Sequence, residues 1–154
     1  MPHKLNEATI ESLLLEGLAT LGYEYKNAKD LERKGNAWIL ENEFRESMHR
    51  INFGINFNAD SKMPYLPLET QERLINEALA KLKALENEEL LESNAKCSAY
   101  LTQGIKLEIT IEGETRGVLL QLIDFQNPFN NHFLACNQLH FEFKMSKCKM
   151  WHSA

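Results

Sequence analysis

The spacing of apolar residues changes once along this chain, at Gly104. Before Gly104 they recur every three or four positions, which is the spacing of helices that bury one face. After Gly104 they alternate with polar residues, which is the spacing of strands in a half-buried sheet. Helices followed by strands are typical of α+β domains. We therefore predict an α+β fold in which helices pack on a small, mostly antiparallel sheet.

Four segments before Gly104 have helical spacing. The first has the clearest ends, because Asn6 can cap its start and Gly22 can end it. In the third, Leu74, Ala78 and Leu82 share one face, which we expect to be buried. The predicted helices are, in order, residues 7–21, residues 40–51, residues 69–85, and a segment that Asn87 caps and that runs to about Leu101, with Gly104 at its end.

Three runs after Gly104 have strand spacing. Residues 112–114 predict a tight turn, so the first two runs form a hairpin. We expect the aromatic residues of the last runs to belong to the core: Phe125, Phe129, Phe133, Phe141 and Phe143. The predicted strands are residues 105–111, 118–123 and 133–143, with loops at 52–60 and 127–131 and a short extended piece at 23–25.

The composition is that of an ordinary globular protein. The 154 residues are 44% hydrophobic and 25% charged, which suits a single domain over residues 1–154. No apolar run is long enough for a membrane span, and no signal peptide precedes the first helix, so we expect a cytoplasmic protein. Cys97, Cys136 and Cys148 lack C-x-x-C spacing, which indicates free thiols rather than a disulfide scaffold or a zinc site.

The net charge argues against one class of function. The formal charge is −5 at pH 7, whereas proteins that bind nucleic acid on their own usually carry a basic surface that displaces counterions from the phosphates. We therefore expect this chain to meet DNA only as part of a larger complex.

One set of residues has the order that metal-dependent nucleases use. Asp124 follows a predicted strand, and Glu142 and Lys144 share one face of a later strand because strand side chains alternate. The alternative is that His140, Glu142 and Lys144 form the polar face of an amphipathic strand, since exposed charged residues are the default. The histidines show no H-E-x-x-H spacing and no G-x-S-x-G string occurs, so zinc-peptidase and serine-hydrolase sites are not indicated.

The string L-I-D-F-Q-N-P-F-N-N-H-F at residues 122–133, followed by N-Q at 137–138, carries a family resemblance. It resembles a block of type I restriction enzyme R subunits, in which a strand ending in L-I-D-F precedes N-P-x-N-N-x-F and an N-Q strand. The resemblance extends over residues 5–143 and includes the hairpin at 104–109 and 115–117, the opening helix at 6–11 and 21–23, and the fourth helix at 90–94.

The resemblance implies a nuclease fold of the PD-(D/E)xK type, in which carboxylates hold magnesium and a lysine stabilises developing charge. R subunits join methyltransferase and specificity subunits in a cytoplasmic complex and pull DNA with an ATP-driven motor. The intact form is thus an ATP-dependent, Mg-dependent DNA endonuclease and translocase.

The sequence departs from the family after the N-Q strand. The family's R-P-D motif is absent, the catalytic E-x-K strand would come after it, and residues 144–154 form a tail unlike the family. No G-x-x-x-x-G-K-[ST] string for ATP is present. We therefore predict an N-terminal fragment with an incomplete nuclease fold, no cofactor of its own and no DNA cleavage. The alternatives are an interaction module for restriction subunits, or a small nuclease that uses Asp124, Glu142 and Lys144.

One family site residue is expected in this chain. Nucleases of this class contribute an acidic residue from the first helix, and Glu11 in Thr9-Ile10-Glu11 holds the matching place. The resemblance thus implies a catalytic-site role for Glu11 in an intact family member. The alternative is a solvated carboxylate near a helix start, which the helix dipole favours.

The last predicted strand is expected to have an uncovered edge. In the family, catalytic strands would follow residues 138–143, and without them unpaired backbone groups remain. We therefore predict self-association, or another form of coverage, at that strand.

Overall fold

The computed structural model describes residues 6–32, 37–54 and 66–137. In chain order the helices and strands are α1 (Glu7–Thr20), β1 (Glu24–Asn27), α2 (Glu41–Met48), α3 (Leu68–Ala84), α4 (Leu90–Gln103), β2 (Ile105–Ile111), β3 (Glu114–Leu120) and β4 (Leu134–Asn137). Short helical turns lie at Ala28–Asp30, His49–Phe53, Leu85–Asn87 and Pro128–Asn130. The chain divides into two units: one up to Leu40 and from Phe133 onwards, the other Glu41–His132.

The first unit places α1 beside a parallel strand pair. Asn6 Oδ1 accepts a hydrogen bond of 2.8 Å from the Thr9 backbone N–H, so the predicted cap is confirmed. At the other end Gly22 has a φ of +87°, and the Gly22 and Tyr23 N–H groups donate to the carbonyls of Ala19 and Leu18. This left-handed glycine closure ends the helix where the sequence predicted it.

The strands of this unit come from opposite ends of the described chain. β1 pairs with β4 in parallel, from Glu24 opposite Leu134 to Asn27 opposite Asn137. The extended piece predicted at residues 23–25 is confirmed for Glu24 and Tyr25, and the strand continues to Asn27. The predicted strand at 133–143 is confirmed for 134–137, whereas 138–143, the predicted uncovered edge and the tail at 144–154 lie outside the described residues.

The second unit has its core between α3 and the hairpin. The α3 side chains that the sequence assigned to one face are buried, as are Ile75 and Leu79 beside them. The inward residues of β2 lie against α3 and are also buried. The buried apolar residues of this unit are Met48, Leu74, Ile75, Ala78, Leu79, Leu82, Leu85, Ile105, Leu107, Ile109 and Leu120.

The hairpin begins its return strand earlier than predicted. Glu112 and Gly113 both have positive φ, +53° and +84°, so they form a two-residue turn whose twist matches that of the strands. Glu114 therefore pairs with Ile111, and β3 runs from Glu114 to Leu120 rather than over residues 118–123. The turn sets this register, whereas the prediction relied on apolar residues, which begin only at residue 118.

Three further predictions need correction. Asn87 does not cap α4: it lies in a helical turn that continues α3, and the residue at the cap position is Glu89. Asn52 and Phe53 belong to the turn His49–Phe53 that continues α2, not to a loop. The described strands form two separate pairs, one parallel and one antiparallel, instead of a mostly antiparallel sheet. Pairing between β1 and β4 depends on long-range contacts that spacing alone does not reveal.

The α+β class itself is confirmed. Within the described ranges, none of the helices combines the length and the apolar character that crossing a bilayer requires. Cys97 and Cys136 are free thiols.

An exposed ion pair connects the segment before α4 to that helix. Lys96 Nζ lies 2.8 Å from Glu88 Oε1. The side-chain hydrogen bond to Glu88 raises the pKa of Lys96 above its ordinary value of 10.5, and the negative charges of Glu88 and Glu92 act in the same direction. Because the folded pKa is the higher one, the pair stabilises the fold fully below pH 10.5, and this contribution is lost as the pH rises through the folded pKa.

Replacing Glu88 should therefore shift the titration of Lys96. In Glu88→Gln we expect the pKa of Lys96 to fall towards 10.5, because the strongest acceptor loses its charge. Glu86→Gln is the matched control, since Glu86 is exposed on the preceding turn and is not among the groups that shift Lys96. Side-chain NMR titration of Lys96 measures both variants; an unchanged midpoint in Glu88→Gln would contradict the assignment.

Gly104 is the glycine on which the junction between α4 and β2 depends. It has a φ of +81°, and a Cβ built on it would lie 2.7 Å from the backbone oxygen of Leu120. Gly117 in β3 has no atom within 4 Å of the same position. Side chains are thus excluded at Gly104 by both conformation and space, but not at Gly117.

We expect Gly104→Ala to lower the free energy of unfolding by about 2 kcal/mol or more, since it adds left-handed strain to a backbone clash. Gly117→Ala should change it by less than about 1 kcal/mol. Urea unfolding followed by circular dichroism compares the two. Equal loss in both variants would show that the close approach to Leu120 is not limiting.

Candidate functional site

A groove of about 360 Å³ lies between α1 and β4 in the first unit. Its walls are mostly apolar, and Glu11 is the carboxylate that lines it. The lining residues are Glu11, Leu14, Leu15, Leu18, Tyr23, Leu134, Ala135, Cys136 and Asn137. Glu11, the site residue predicted on α1, thus lies in the wall of a groove.

The contacts of β1 with β4 hold the floor of this groove in place. The Tyr23 and Phe133 rings lie 5.4 Å apart, and the Glu24 N–H donates to the Phe133 carbonyl over 2.9 Å. The Tyr25 hydroxyl donates to Asn137 Oδ1 over 3.0 Å. Asn137 is therefore fixed at the end of β4, where its amide can orient a polar group in the groove.

Glu11 is half-buried, and its chemistry depends on what joins it. Magnesium binds through oxygen ligands, usually one or two carboxylates together with several waters and substrate phosphates. Within the described ranges, no three His, Cys, Asp or Glu side chains lie close enough together to hold a metal ion. The role of Glu11 as a site residue therefore stays a prediction.

An E-x-K string that the sequence analysis overlooked lies on β1. Glu24 and Lys26 share one face of that strand, and Lys26 Nζ lies 3.7 Å from Glu24 Oε1. The strand spacing of an acidic and a basic residue was the signal that could have found it. The pairing within the string gives a structural reason for both charges.

Asp124 shapes the loop between β3 and β4. Its Oδ1 accepts hydrogen bonds from the backbone N–H groups of Gln126 and Asn127, over 3.0 and 2.9 Å. Its Oδ2 accepts one of 2.8 Å from the Asn130 side chain. Both carboxylate oxygens of the proposed nuclease residue are thus engaged inside the loop.

Asn131 completes this loop from the other side. Its Oδ1 accepts from the Asp124 N–H over 2.9 Å, and its Nδ2 donates to the Asp124 carbonyl over 2.8 Å. The same Nδ2 donates to the Pro128 carbonyl over 3.2 Å. The turn at Pro128–Asn130 is therefore enclosed by side-chain hydrogen bonds at both ends.

The loop is tied to the turn His49–Phe53. Arg50 Nε donates to the Asn130 carbonyl over 2.7 Å. The buried Asn52 side chain accepts from the Gln121 N–H over 2.8 Å and donates to the Gln121 carbonyl over 2.9 Å. The sequence signal for this contact was the position of Asn52, a polar residue four positions after Met48 and in line with the apolar face of α2.

The loop carries two exposed phenylalanines. Phe125 is 64% exposed, Phe129 is 96% exposed and Phe133 is 41% exposed, so the prediction that these residues belong to the core was wrong. Phe141 and Phe143, of which the same was predicted, lie outside the described residues. The backbone of residues 124–131 is held by polar side chains rather than by apolar packing, so the phenylalanines are not needed inside.

The comparison with known proteins can be set beside this geometry. The profile of the family described as "Type I restriction enzyme R protein N terminus" matches residues 4–149. This chain belongs to that family. The type I R-protein family was named in the sequence analysis from the loop string and the opening helix, and that recognition is confirmed.

Two relatives show how much of a longer protein this chain covers. The chain is 28% identical over 88% of its length to the "Type I restriction enzyme HindI endonuclease subunit" of Haemophilus influenzae. It is 30% identical over 91% of its length to the "Putative type I restriction enzyme MjaIXP endonuclease subunit" of Methanocaldococcus jannaschii. It spans only 12% and 13% of those proteins. No solved structure gives a significant match.

The other predicted site residues of this R-protein chain are distributed as follows. Glu11 lies in the groove of the first unit, and Asp124 lies in the loop of the second unit. Glu142, Lys144 and His140 lie outside the described residues, so the alternative site that combines them with Asp124 stays a prediction. The loop hydrogen bonds explain three polar residues of the family string, namely Asp124, Asn130 and Asn131.

Variants of Asp124 test whether its hydrogen bonds to the backbone hold the loop. In Asp124→Ala the amide hydrogens of Gln126 and Asn127 should exchange roughly tenfold faster or more, because their acceptor is gone. Asp124→Asn keeps an oxygen at that position without the charge, and exchange should stay close to that of the unaltered protein. Hydrogen-exchange NMR distinguishes the two; equal acceleration in both variants would mean that charge, not the acceptor oxygen, holds the loop.

Proposed function

We propose that this chain forms the beginning of the endonuclease region of a type I restriction R subunit, whose intact form cuts DNA with magnesium and moves it with ATP. The observation that carries the proposal is the family match over residues 4–149. The printed names of both relatives, each an endonuclease subunit, support it. Its partners in that complex would be methyltransferase and specificity subunits, DNA would be met through the complex, and its location would be the cytoplasm.

In the intact subunit, this chain would contribute the groove between α1 and β4 to the nuclease site. An α-helix beside a parallel strand pair supports an incomplete PD-(D/E)xK-type arrangement, with Glu11 as the acidic residue from the first helix. Its described residues do not fit a complete magnesium site by themselves, since the groove has one carboxylate. The remaining ligands of an intact subunit would come from other residues, and no catalytic step is assigned to this chain.

We also propose that this chain alone does not cleave DNA. Asp124, which a small independent nuclease would need as a metal ligand, already accepts three hydrogen bonds that shape its loop. Removing those donors to make room for a hydrated cation would cost the loop its structure. The net charge of −5 further weakens DNA binding at physiological salt.

A nicking assay on supercoiled plasmid tests this, with magnesium and then manganese. The expected result is no nicking by the unaltered chain. Asp124→Asn and Glu142→Gln are the informative variants, because each removes a charge that a metal site needs. Asp124→Asn keeps an oxygen that can accept from the Gln126 and Asn127 N–H groups and loses the one that accepts from Asn130. Glu46→Gln, at an exposed residue of α2, is the matched charge control.

Each other outcome has a definite meaning. Nicking that Asp124→Asn and Glu142→Gln both abolish, but Glu46→Gln does not, would falsify the inactive-chain proposal and support the independent nuclease. Nicking that all three variants retain would assign the activity to a contaminating nuclease. Neither result would alter the family membership.

A further inference from the structure

The turn His49–Phe53 that continues α2 is a π turn. Such turns are rare, occur mostly as one turn within an α-helix, and are frequent at functional sites. A π turn holds one residue more than an α turn, and one residue of an α-helix corresponds to a rotation of roughly 100°. The directions in which Arg50 and Asn52 point therefore depend on which of the two forms the turn adopts.

Gly54 lies directly after the π turn and has to be small. A Cβ built on Gly54 would lie 2.6 Å from the backbone oxygen of Arg50. That oxygen belongs to the main chain, so it cannot move aside without a change in the turn itself. The close approach at Gly54 thus belongs to the π form, and a larger residue would disturb that form.

Side chains of α3 hold the beginning of the π turn. Glu72 Oε1 lies 2.8 Å from His49 Nε2, and Glu72 Oε2 accepts a hydrogen bond of 3.2 Å from Arg45 Nη1. Arg45 and His49 are four residues apart, so one carboxylate holds two successive helical turns. We call Arg45, His49 and Glu72 the α3 latch.

Other residues of the same turn hold the loop of residues 121–131. The Asn52 side chain bonds both backbone groups of Gln121. Arg50 Nε donates to the Asn130 carbonyl over 2.7 Å. The α3 latch and the loop with its two exposed phenylalanines are thus joined through one five-residue turn, within a single unit.

We propose that the turn His49–Phe53 is a conformational switch between a π and an α form, and that the α3 latch determines which form is populated. With the latch closed, the π form directs Arg50 and Asn52 at the loop backbone, and the loop is ordered. With the latch open, the turn relaxes to the α form, and the exposed phenylalanines lose their fixed position. Because such coupling is reciprocal, an ordered loop also favours the closed latch.

Removal of the α3 latch tests the proposal on the full chain. Glu72→Ala removes both acceptors and leaves a good helix former in α3. Exchange of the Gln126 and Asn127 amide hydrogens should quicken roughly threefold or more, although both lie on a different segment. Glu77→Ala should leave that exchange unchanged. It is the matched control, because Glu77 lies on the same helix, has a side chain that is also 42% exposed, and pairs with Arg73 instead of α2.

NMR also shows which form the turn adopts. Nuclear Overhauser contacts between residues five apart report the π form, whereas contacts between residues four apart report the α form. In Glu72→Ala the balance should move towards the α form. Gly54→Ala should move it the same way with the α3 latch intact, because its Cβ is crowded by the Arg50 oxygen. Gly117→Ala, whose Cβ would meet no atom within 4 Å, is the control.

Salt opens the α3 latch without a mutation. Its side chains are 32% to 42% exposed, so dissolved ions screen its charges. A rise in sodium chloride from about 0.05 M to about 0.5 M should quicken loop exchange in the unaltered chain. The effect should be much smaller in Glu72→Ala, which has no latch to screen. Equal acceleration in both chains would contradict the proposal.

Variants of the loop test the reverse direction. Asn131→Ala removes the side chain that bonds both backbone groups of Asp124, so the amide hydrogens of the turn His49–Phe53 should exchange faster. Gln126→Ala is the matched control in the same loop, because no hydrogen bond among the described residues uses the Gln126 side chain. It should leave the turn unchanged.

Three results would overturn the proposal. The first is unaltered loop exchange in Glu72→Ala, and the second is a faster loop beside a turn that keeps its π form. The third is an equal acceleration of the β2 amides, which would show a general loss of stability instead of a switch. DNA cleavage is not measured in any of these experiments, so the switch and the proposed nuclease role can fail independently.

Discussion

The Asn52 side chain is the contact on which the second unit's loop depends. It pairs with both backbone groups of Gln121, as a neighbouring strand would, at the point where β3 has ended. Because Asn52 is buried, losing these bonds would leave its amide poorly solvated, so the pairing holds the turn His49–Phe53 against the end of the hairpin. The Arg50 contact with Asn130 then ties the far end of the loop to the same turn. One helical turn after α2 thus positions a segment that is distant in sequence.

This arrangement changes how the family string is understood. Asp124, Asn130 and Asn131 are the polar residues that make the string recognisable. The side chains of Asp124 and Asn131 bond the loop backbone, and the Asn130 side chain donates to the Asp124 carboxylate. Their chemistry is that of turn formation, since carboxylate and amide groups satisfy local N–H and C=O groups. The polar residues of the string are therefore explained by structure, whereas Glu11, for which the family resemblance predicts a catalytic-site role, lies on a different unit.

Local chemistry predicted the elements better than their connections. The ends of α1 followed from Asn6 and Gly22, whose capping bonds involve residues a few positions away. The prediction failed at Asn87, because the preceding helix continues through that residue as a tighter turn. It also missed the parallel pairing of β1 with β4, the hydrogen bonds of Asn52 and the exposure of Phe129. Of the candidate site, Glu11 was placed correctly on α1, but its groove could not be foreseen, since β4 forms the other wall.

The sequence by itself determined the α+β class, the helices with clear caps, the hairpin and the family, because each rests on spacing or on residues close together in the chain. Only the tertiary structure decided that Asp124 shapes a loop, that Glu11 faces a groove, and that Phe129 is exposed. The physical reason is that periodicity shows which residues share a face, but not what that face meets. Hydrogen bonds and burial between distant segments depend on the arrangement in space, where a polar residue finds its partner or an apolar one remains exposed.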